Sequence, residues 1–455
     1  MLPKFEIILL CLVLIFAVSC RSNNPLSHIK ISGQTISENY LGDDYVKNLQ
    51  TRVENNYQLE DSRLLLGNKN IQAMSYSGYR KETRGKGLPN QDDYCPTIEE
   101  LKEDMRILGA MGIKLIRTYD TQEYNHAPRL VEAIHQVKQE DENFEMYVML
   151  GAWIQCKGAY TDSVDHTIED EPFNILEMDK AIELAANYPD IVKIIAVGNE
   201  AMVTWQAHWV DSSIILKYVR YAEAAKTTAV NGHLLPTDVL LTSSDNFAVW
   251  GAEEGYRKES LTELIKEIDF ISLHTYPFHD THYNSHFWKI PQGMKDKTDE
   301  EKVIYSMEGA FRDAMEQYNS VKDYIKEIGI VKPIHIGETG WATMDDHFYT
   351  TPGSGATDEI KDKMYYDAIN KWCFDNNISC FYFEAFNEPW KGGELGSESH
   401  FGLFTVDGKA KYPLWDLVDK GTFKGLTRGG NEITKTYNGD YELLKEDMLL
   451  PPLSK

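Results

Sequence analysis

Eight apolar runs of strand length recur along the chain, each separated from the next by a segment long enough for a helix. They are IQAMSY (71–76), KLIRTY (114–119), EMYVMLGAW (145–153), IVKIIAVG (191–198), VLLTSS (239–244), FISLHTY (270–276), PIHIG (333–337) and CFYFEAF (380–386). Near-continuous apolar strands suit a sheet covered on both faces, which is the signature of parallel pairing. The intervening segments carry helix signals. TIEELKEDMRILGAMG (97–112) opens on a Thr-x-x-Glu cap and stops at glycine, and SSIILKYVRYAEAAKTTA (212–229), residues 358–374 and YPLWDLVDKG (412–421) follow the same logic. Eight strand–helix units predict an α/β chain folded as a single (β/α)8 TIM barrel with short N- and C-terminal extensions. An open doubly wound sheet would place a glycine-rich phosphate loop after its first strand, and SYSGYRKETRGKG stands there instead, without GxGxxG.

The barrel is expected over residues 67–428. Residues 20–66, polar after Cys20 (RSNNPLSH, 21–28), read as a tether and N-terminal extension, and 429–455 as a tail that either wraps the barrel or stays mobile. At the start, Lys4 precedes IILLCLVLIFAV (7–18), a run too short for a comfortable membrane span and laid out like a secretory signal over residues 1–19. The signal ends AVSC. Small residues before a cysteine resemble a bacterial lipoprotein cleavage site, so Cys20 is expected to carry a lipid; the alternative is an ordinary signal in which Cys20 is incidental. The expected setting is an exported monomer in the bacterial outer membrane, on its cell-surface or periplasmic side. Its membrane contact is through the anchor at Cys20 alone.

A net charge of -25 opposes nucleic acid and anionic polysaccharide as ligands, so a neutral ligand fits better. Cys95, Cys156, Cys373 and Cys380 could pair or stay as buried thiols; Cys95 with Cys156 and Cys373 with Cys380 are the pairings the layout permits. No CxxC or HExxH occurs, and the spacing fits no zinc site. The histidines of HDTHYNSH (279–286) read as a loop beside the cleft, and the acids of TIEDEPFN (167–174) and DDHFYT (345–350) as solvated loops. No metal and no cofactor is expected.

Barrel active sites lie at the C-terminal ends of the strands. There, strand four runs into Gly198-Asn199-Glu200 and strand seven into Gly337-Glu338-Thr339. Two glutamates across one barrel mouth suit glycoside hydrolysis with retention, in which one carboxyl protonates the leaving oxygen while the other attacks the anomeric carbon. The strand ends also supply flat rings for sugar faces, Tyr76, Tyr119, Trp153, Tyr276 and Trp341, with Trp205 just beyond strand four. Arg117 points inward where it could keep Glu338 ionised, and His274 either serves the site or is a satisfied interior histidine.

In order, SYSGYR, IRTYDT, AVGNE, TYPF, GETGW and FEAFNEPWK make residues 70–420 resemble glycoside hydrolase family 17, the β-1,3-glucanase family. The resemblance implies Glu200 as acid/base, Glu338 as nucleophile, Asn199 on the sugar 2-hydroxyl and tyrosines along the cleft. It also implies a neutral β-1,3-linked glucan as partner. FEAFNEPWK, despite its two glutamates, then becomes the wall beside the reaction centre: Glu384, Glu388 and Lys391 grip hydroxyls or tune the carboxylate pair, and Trp390 stacks. Asn387 departs from the aspartate usual in the family. The implied activity is a retaining endo-β-1,3-glucanase of laminarin-type glucans. A β-1,3-glucanosyltransferase on the same scaffold and a non-catalytic glycan-binding lipoprotein are the alternatives.

Overall fold

In the computed structural model, the described residues are 62–454 except 87, 123–124 and 394; the signal, Cys20 and most of the tether lie outside them. Eight parallel strands close a barrel: β1 (Gln72–Ser75), β2 (Ile113–Arg117), β3 (Tyr147–Ala152), β4 (Val192–Asn199), β5 (Leu240–Asn246), β6 (Ile271–His274), β7 (Ile334–Thr339) and β8 (Cys380–Tyr382). Neighbours in the barrel are neighbours in sequence, and β1 completes the ring by pairing with β8 through Ala73 opposite Phe381. Among the described residues seven helices of nine or more residues alternate with them: α1 (Ile98–Ala110), α2 (His126–Glu140), α3 (Glu171–Asn187), α4 (Ser212–Ala225), α5 (Glu259–Glu267), α6 (Asp299–Glu327) and α7 (Glu359–Asp375). Each α follows the β of the same number. The sequence pattern thus gives the (β/α)8 barrel its strands to within a few residues.

The barrel interior changes character along its axis. Its N-terminal half is apolar: Ala73, Leu115, Met149, Ile194, Ala196, Leu240, Phe270 and Phe381 meet inside, and Leu65 with Leu66 plugs that end. Towards the C-terminal end the buried residues turn polar, with Arg117, Ser244, Ser272, His274 and Glu338 all withdrawn from solvent. Buried polar groups of this kind persist only when they bond to one another. Gly337 makes room for that bonding, because a Cβ there would stand 2.0 Å from Ser272 Oγ and 2.7 Å from Ser244 Oγ.

Several loops differ from the sequence expectation. The stretch after β6 contains a short helix, Pro277–Tyr283, and then α6, whose Thr298–Glu301 capping box starts a 29-residue helix. HDTHYNSH is therefore half helical. TIEDEPFN is likewise not a plain loop: Asp165–Glu169 pairs with Cys156–Lys157 as a small hairpin, and α3 begins at Glu171. Cys95, Cys156, Cys373 and Cys380 are all buried, free thiols. Burial pushes the Cys95 thiol up to about 11, which leaves it inert near neutrality.

The C-terminal segment wraps the barrel. Ile290 exchanges backbone hydrogen bonds with Pro452 and Ser454, Lys361 Nζ donates to the Leu449 carbonyl, and Leu444 is fully buried. Arg428 enters the interior and forks onto Asp104, Nε to Oδ1 at 2.9 Å and Nη2 to Oδ2 at 3.1 Å. Arg80 and the Tyr76 hydroxyl donate to the same carboxylate. Bidentate and charge-assisted, these bonds tie the chain's end to α1 beneath the first strand's loop.

Candidate active site

The backbone at the end of β4 turns sharply. Gly198 has φ +81° and Glu200 has φ +45°, a region a non-glycine residue occupies only when its surroundings hold it there. The hold is visible: Glu200 N–H donates to the Ser244 carbonyl at 2.8 Å, and Gln206 Nε2 donates to Glu200 Oε2 at 2.6 Å. The turn aims the Glu200 carboxylate across the mouth. Glu338, at the end of β7, is almost fully buried; Arg117 Nη1 pairs with its Oε1, and the Tyr276 hydroxyl donates to its Oε2 at 2.8 Å.

One imidazole links the two acids. His274 Nδ1 lies 3.1 Å from Glu200 Oε1 and 3.6 Å from Glu338 Oε2, so those oxygens can be no further apart than the sum of the two distances. A shared ring nitrogen brings the two carboxyls close together, as retaining hydrolysis requires at a separation of roughly 5–5.5 Å. On its other side, His274 Nε2 meets Ser244 Oγ at 2.8 Å, which in turn meets Ser272 Oγ at 2.7 Å. The hydroxyls that Gly337 accommodates therefore set the ring that spans the pair.

The surroundings of the acids differ. Burial alone would raise the Glu338 carboxyl, but the His274 ring, the Arg117 guanidinium and the Tyr276 hydroxyl outweigh it and bring the group down to about 2. Glu338 is thus an anion across the physiological range, as an attacking group must be. Glu200 instead bonds to a neutral amide and to His274, and it lines an open cavity from which a proton can be delivered. Unequal surroundings of this kind are how one site divides acid and nucleophile between two carboxyls.

Of the residues singled out from sequence, Arg117, Asn199, Tyr276, Glu200 and Glu338 converge. Asn199 Oδ1 accepts from Arg117 Nη2, which turns its amide donors the other way. Tyr119 lies under the Arg117 guanidinium, 4.8 Å from ring centre to Cζ, and edge-on to Phe383. Trp153 is half-buried and packs on His208 at 4.4 Å. Two expected wall residues are placed elsewhere. Tyr76 is 1% exposed with its hydroxyl on Asp104, and Trp341 is 0% exposed, its Nε1 on the Ala356 carbonyl and its ring among Phe278, Trp288 and Tyr365. Neither side chain reaches the cleft. Both lie near strand ends, but the rule that places a residue at the mouth does not say which way its side chain turns.

Glu384 and Glu388 are also fully buried, with Lys391 Nζ between them at 2.7 Å from each. Burial and the neighbouring Glu388 raise the Glu384 carboxyl well above its usual range. For Glu388, burial is outweighed by Lys391, Ser77 Oγ and the Tyr79 amide, and the group is lowered. The pair supports the wall from behind instead of gripping hydroxyls. Trp390 caps that wall, with Arg84 stacked on its ring at 4.0 Å and its Nε1 donating to Glu388 at 3.1 Å. The sequence reading missed Gln206 and the Ser244–Ser272 pair, residue types too common at barrel mouths to signal a role.

A closed barrel with two neighbouring carboxyls at its mouth, one buried and ionised, the other bonded to a neutral amide, and both bordering an open cavity, has the make-up of a glycoside hydrolase. The chain belongs to the BtgE/BtgC glycoside hydrolase domain family, whose model matches residues 73–402. An endo-laminarinase from Formosa Hel1_33_131 is 51% identical, with a TM-score of 0.82 over 87% of this chain and 98% of its own. A glucan 1,3-beta-glucosidase of Schizosaccharomyces pombe is 24% identical over 332 residues, 72% of this chain and 84% of that protein. Another, from Arthroderma benhamiae, is 35% identical over 96 residues that span 19% of this chain and 29% of that relative. A beta-1,3-glucanosyltransferase of Rhizomucor miehei, 19% identical with a TM-score of 0.51, shares the fold. These relatives agree with the family 17 resemblance carried by the motifs.

Removing the Arg117 charge tests the electrostatics. Glu338 acts as an anion, so activity fails on the acid side as pH falls through its pKa. In Arg117→Met that pKa rises, and the acid limb of kcat/KM should move up by ~1–3 pH units with a lower plateau. An unmoved acid limb would show that Arg117 does not set the nucleophile's ionisation.

Proposed function

We propose that this chain is a retaining endo-β-1,3-glucanase that hydrolyses laminarin-type glucans by double displacement. The carrying observation is the Glu200–His274–Glu338 bridge, with both carboxyls within hydrogen-bonding range or near it of one ring nitrogen. The linkage is supported by the 51% identity to an endo-laminarinase, spread over nearly the whole of that protein.

In the first step Glu338 bonds to the anomeric carbon as the glycosidic C–O bond breaks, and the Glu200 carboxyl gives its proton to the departing oxygen. The product is a glycosyl ester on Glu338 and a free reducing-end fragment. Glu200, now a carboxylate, takes a proton from water, whose oxygen attacks the same carbon and releases Glu338. Two inversions leave the configuration unchanged. The Asn199 amide, turned outward by Arg117, donates to the sugar 2-hydroxyl, a bond that strengthens as positive charge develops on the ring.

Supported by the AVSC motif, the same reading puts the enzyme outside the cell on a lipid at Cys20. Wild-type protein made in a bacterial host should then partition into the detergent phase, and Cys20→Ser into the aqueous phase; equal partition would remove the anchor.

Incubation with laminarin should give shorter oligosaccharides whose new reducing ends are first seen by NMR as the β anomer. Glu338→Gln should lose activity by ~10⁴-fold or more, by the precedent of removing a covalent nucleophile. A first-formed α anomer would rule out double displacement. Products longer than a defined starting oligosaccharide would assign transfer in place of hydrolysis.

A further inference from the structure

A cavity of about 770 Å³ opens from the catalytic pair, lined by the ends of β5 and β7 and by the segments that follow β4 to β8. Asn199, which donates to the catalytic sugar in the reading above, is not part of it, whereas Glu338 and Tyr276 border it. Glu200, Gln206 and Trp205 line it together, Gln206 being bonded to Glu200 and next to Trp205 in sequence. A carboxyl that protonates a leaving oxygen faces the leaving group, so this side of the mouth receives the fragment that departs.

Two large rings stand in that cavity with their faces in solvent. Trp205 is 63% exposed and Tyr283 is 66% exposed, one from the loop after β4 and the other from the end of the Pro277–Tyr283 helix after β6. Their exposure is not slackness of the backbone. On one side of Trp205 the Thr204 amide donates to the Tyr256 hydroxyl at 3.0 Å, and on the other Gln206 is fixed to Glu200. Phe278, five residues before Tyr283, is fully buried and anchors that helix. A ring held in place yet left largely uncovered suits an apolar sugar face; Tyr283 meets His282 at 4.8 Å between ring centres, and most of its surface stays open.

Resting on the glucanase reading, we propose that Trp205 and Tyr283 form an aromatic clamp for the leaving saccharide and so fix which bond of the glucan is cut. Around the clamp, Asn246 and Asn284 offer amides to sugar edges, while Glu253 and Glu398 add negative charge. The departing fragment is therefore an uncharged saccharide, and a sulfated or uronic acid chain is repelled. The clamp binds; it takes no proton and forms no bond.

The test uses the full-length enzyme and laminarihexaose carrying an isotope label at its reducing end, with labelled fragments sized by mass spectrometry. The wild type should release labelled fragments of two or more units. In Trp205→Ala and Tyr283→Ala, whose side chains are exposed and not required for folding, the cut should move towards the reducing end and kcat/KM should fall roughly 10- to 100-fold. Trp205→Phe should restore the wild-type pattern. A fragment distribution unchanged in both alanine variants, with the wild type cutting the hexamer, overturns the clamp and leaves the hydrolase intact. A wild type that cuts no bond of the hexamer overturns the glucanase reading and the clamp with it.

Discussion

The His274 ring touches two carboxyls that would otherwise repel one another, and much of the barrel mouth is arranged around that contact. Like charges at such range oppose joint ionisation, and burial makes the cost greater. Arg117 and the Tyr276 hydroxyl direct their donors to Glu338, while Gln206 and the strained turn after Gly198 fix Glu200. Ser244 and Ser272 steady the ring from below, in space that only a glycine at 337 leaves open. These residues come from β2, β4, β5, β6 and β7 or the loops that follow them, so the site exists only when the barrel is closed.

Behind the pair, a second charged cluster has a different part. Lys391 sits between Glu384 and Glu388 beneath Phe383, 4.4 Å from that ring's centre, and Phe383 lines the cleft. A buried ion cluster is a poor source of net stability but a good determinant of geometry, because breaking one member leaves its partners charged and unsolvated. The structure thus separates two sets of acids that look alike in sequence. One, Glu200 and Glu338, faces the cavity and is the pair proposed to carry the chemistry; the other, Glu384 and Glu388, is sealed behind the wall.

The barrel could be read from the chain because eight nearly continuous apolar runs alternate with helix-length segments and the first strand lacks the glycine-rich loop of an open doubly wound sheet. The two glutamates proposed as acid/base and nucleophile were legible for the same reason, since counting strands puts Glu200 and Glu338 at the mouth. Direction was less legible. Tyr76 and Trp341 lie near strand ends but turn into the shell between barrel and loops, where Asp104 and the Ala356 carbonyl satisfy their polar atoms. Glu384 and Glu388 carry charge in a motif rich in site-like residues, and nothing local reveals that Lys391 neutralises them underneath. The helix α6 was not singled out because its amphipathic pattern begins only after the histidine-rich stretch that follows the sixth strand. Trp205 and Tyr283 gave no warning of a shared cavity, being far apart in sequence and joined only by the closure of β4 to β6.

The most direct test of the account is to trap the intermediate with an activated 2-deoxy-2-fluoro-β-laminaribioside, whose fluorine slows breakdown of the glycosyl ester more than its formation. Peptide mass spectrometry should find the fluorosugar on Glu338, with one sugar bound per chain. A label on Glu384, Glu388 or Glu200, or time-dependent inactivation that leaves Glu338 unmodified, would contradict the assignment on which the mechanism stands.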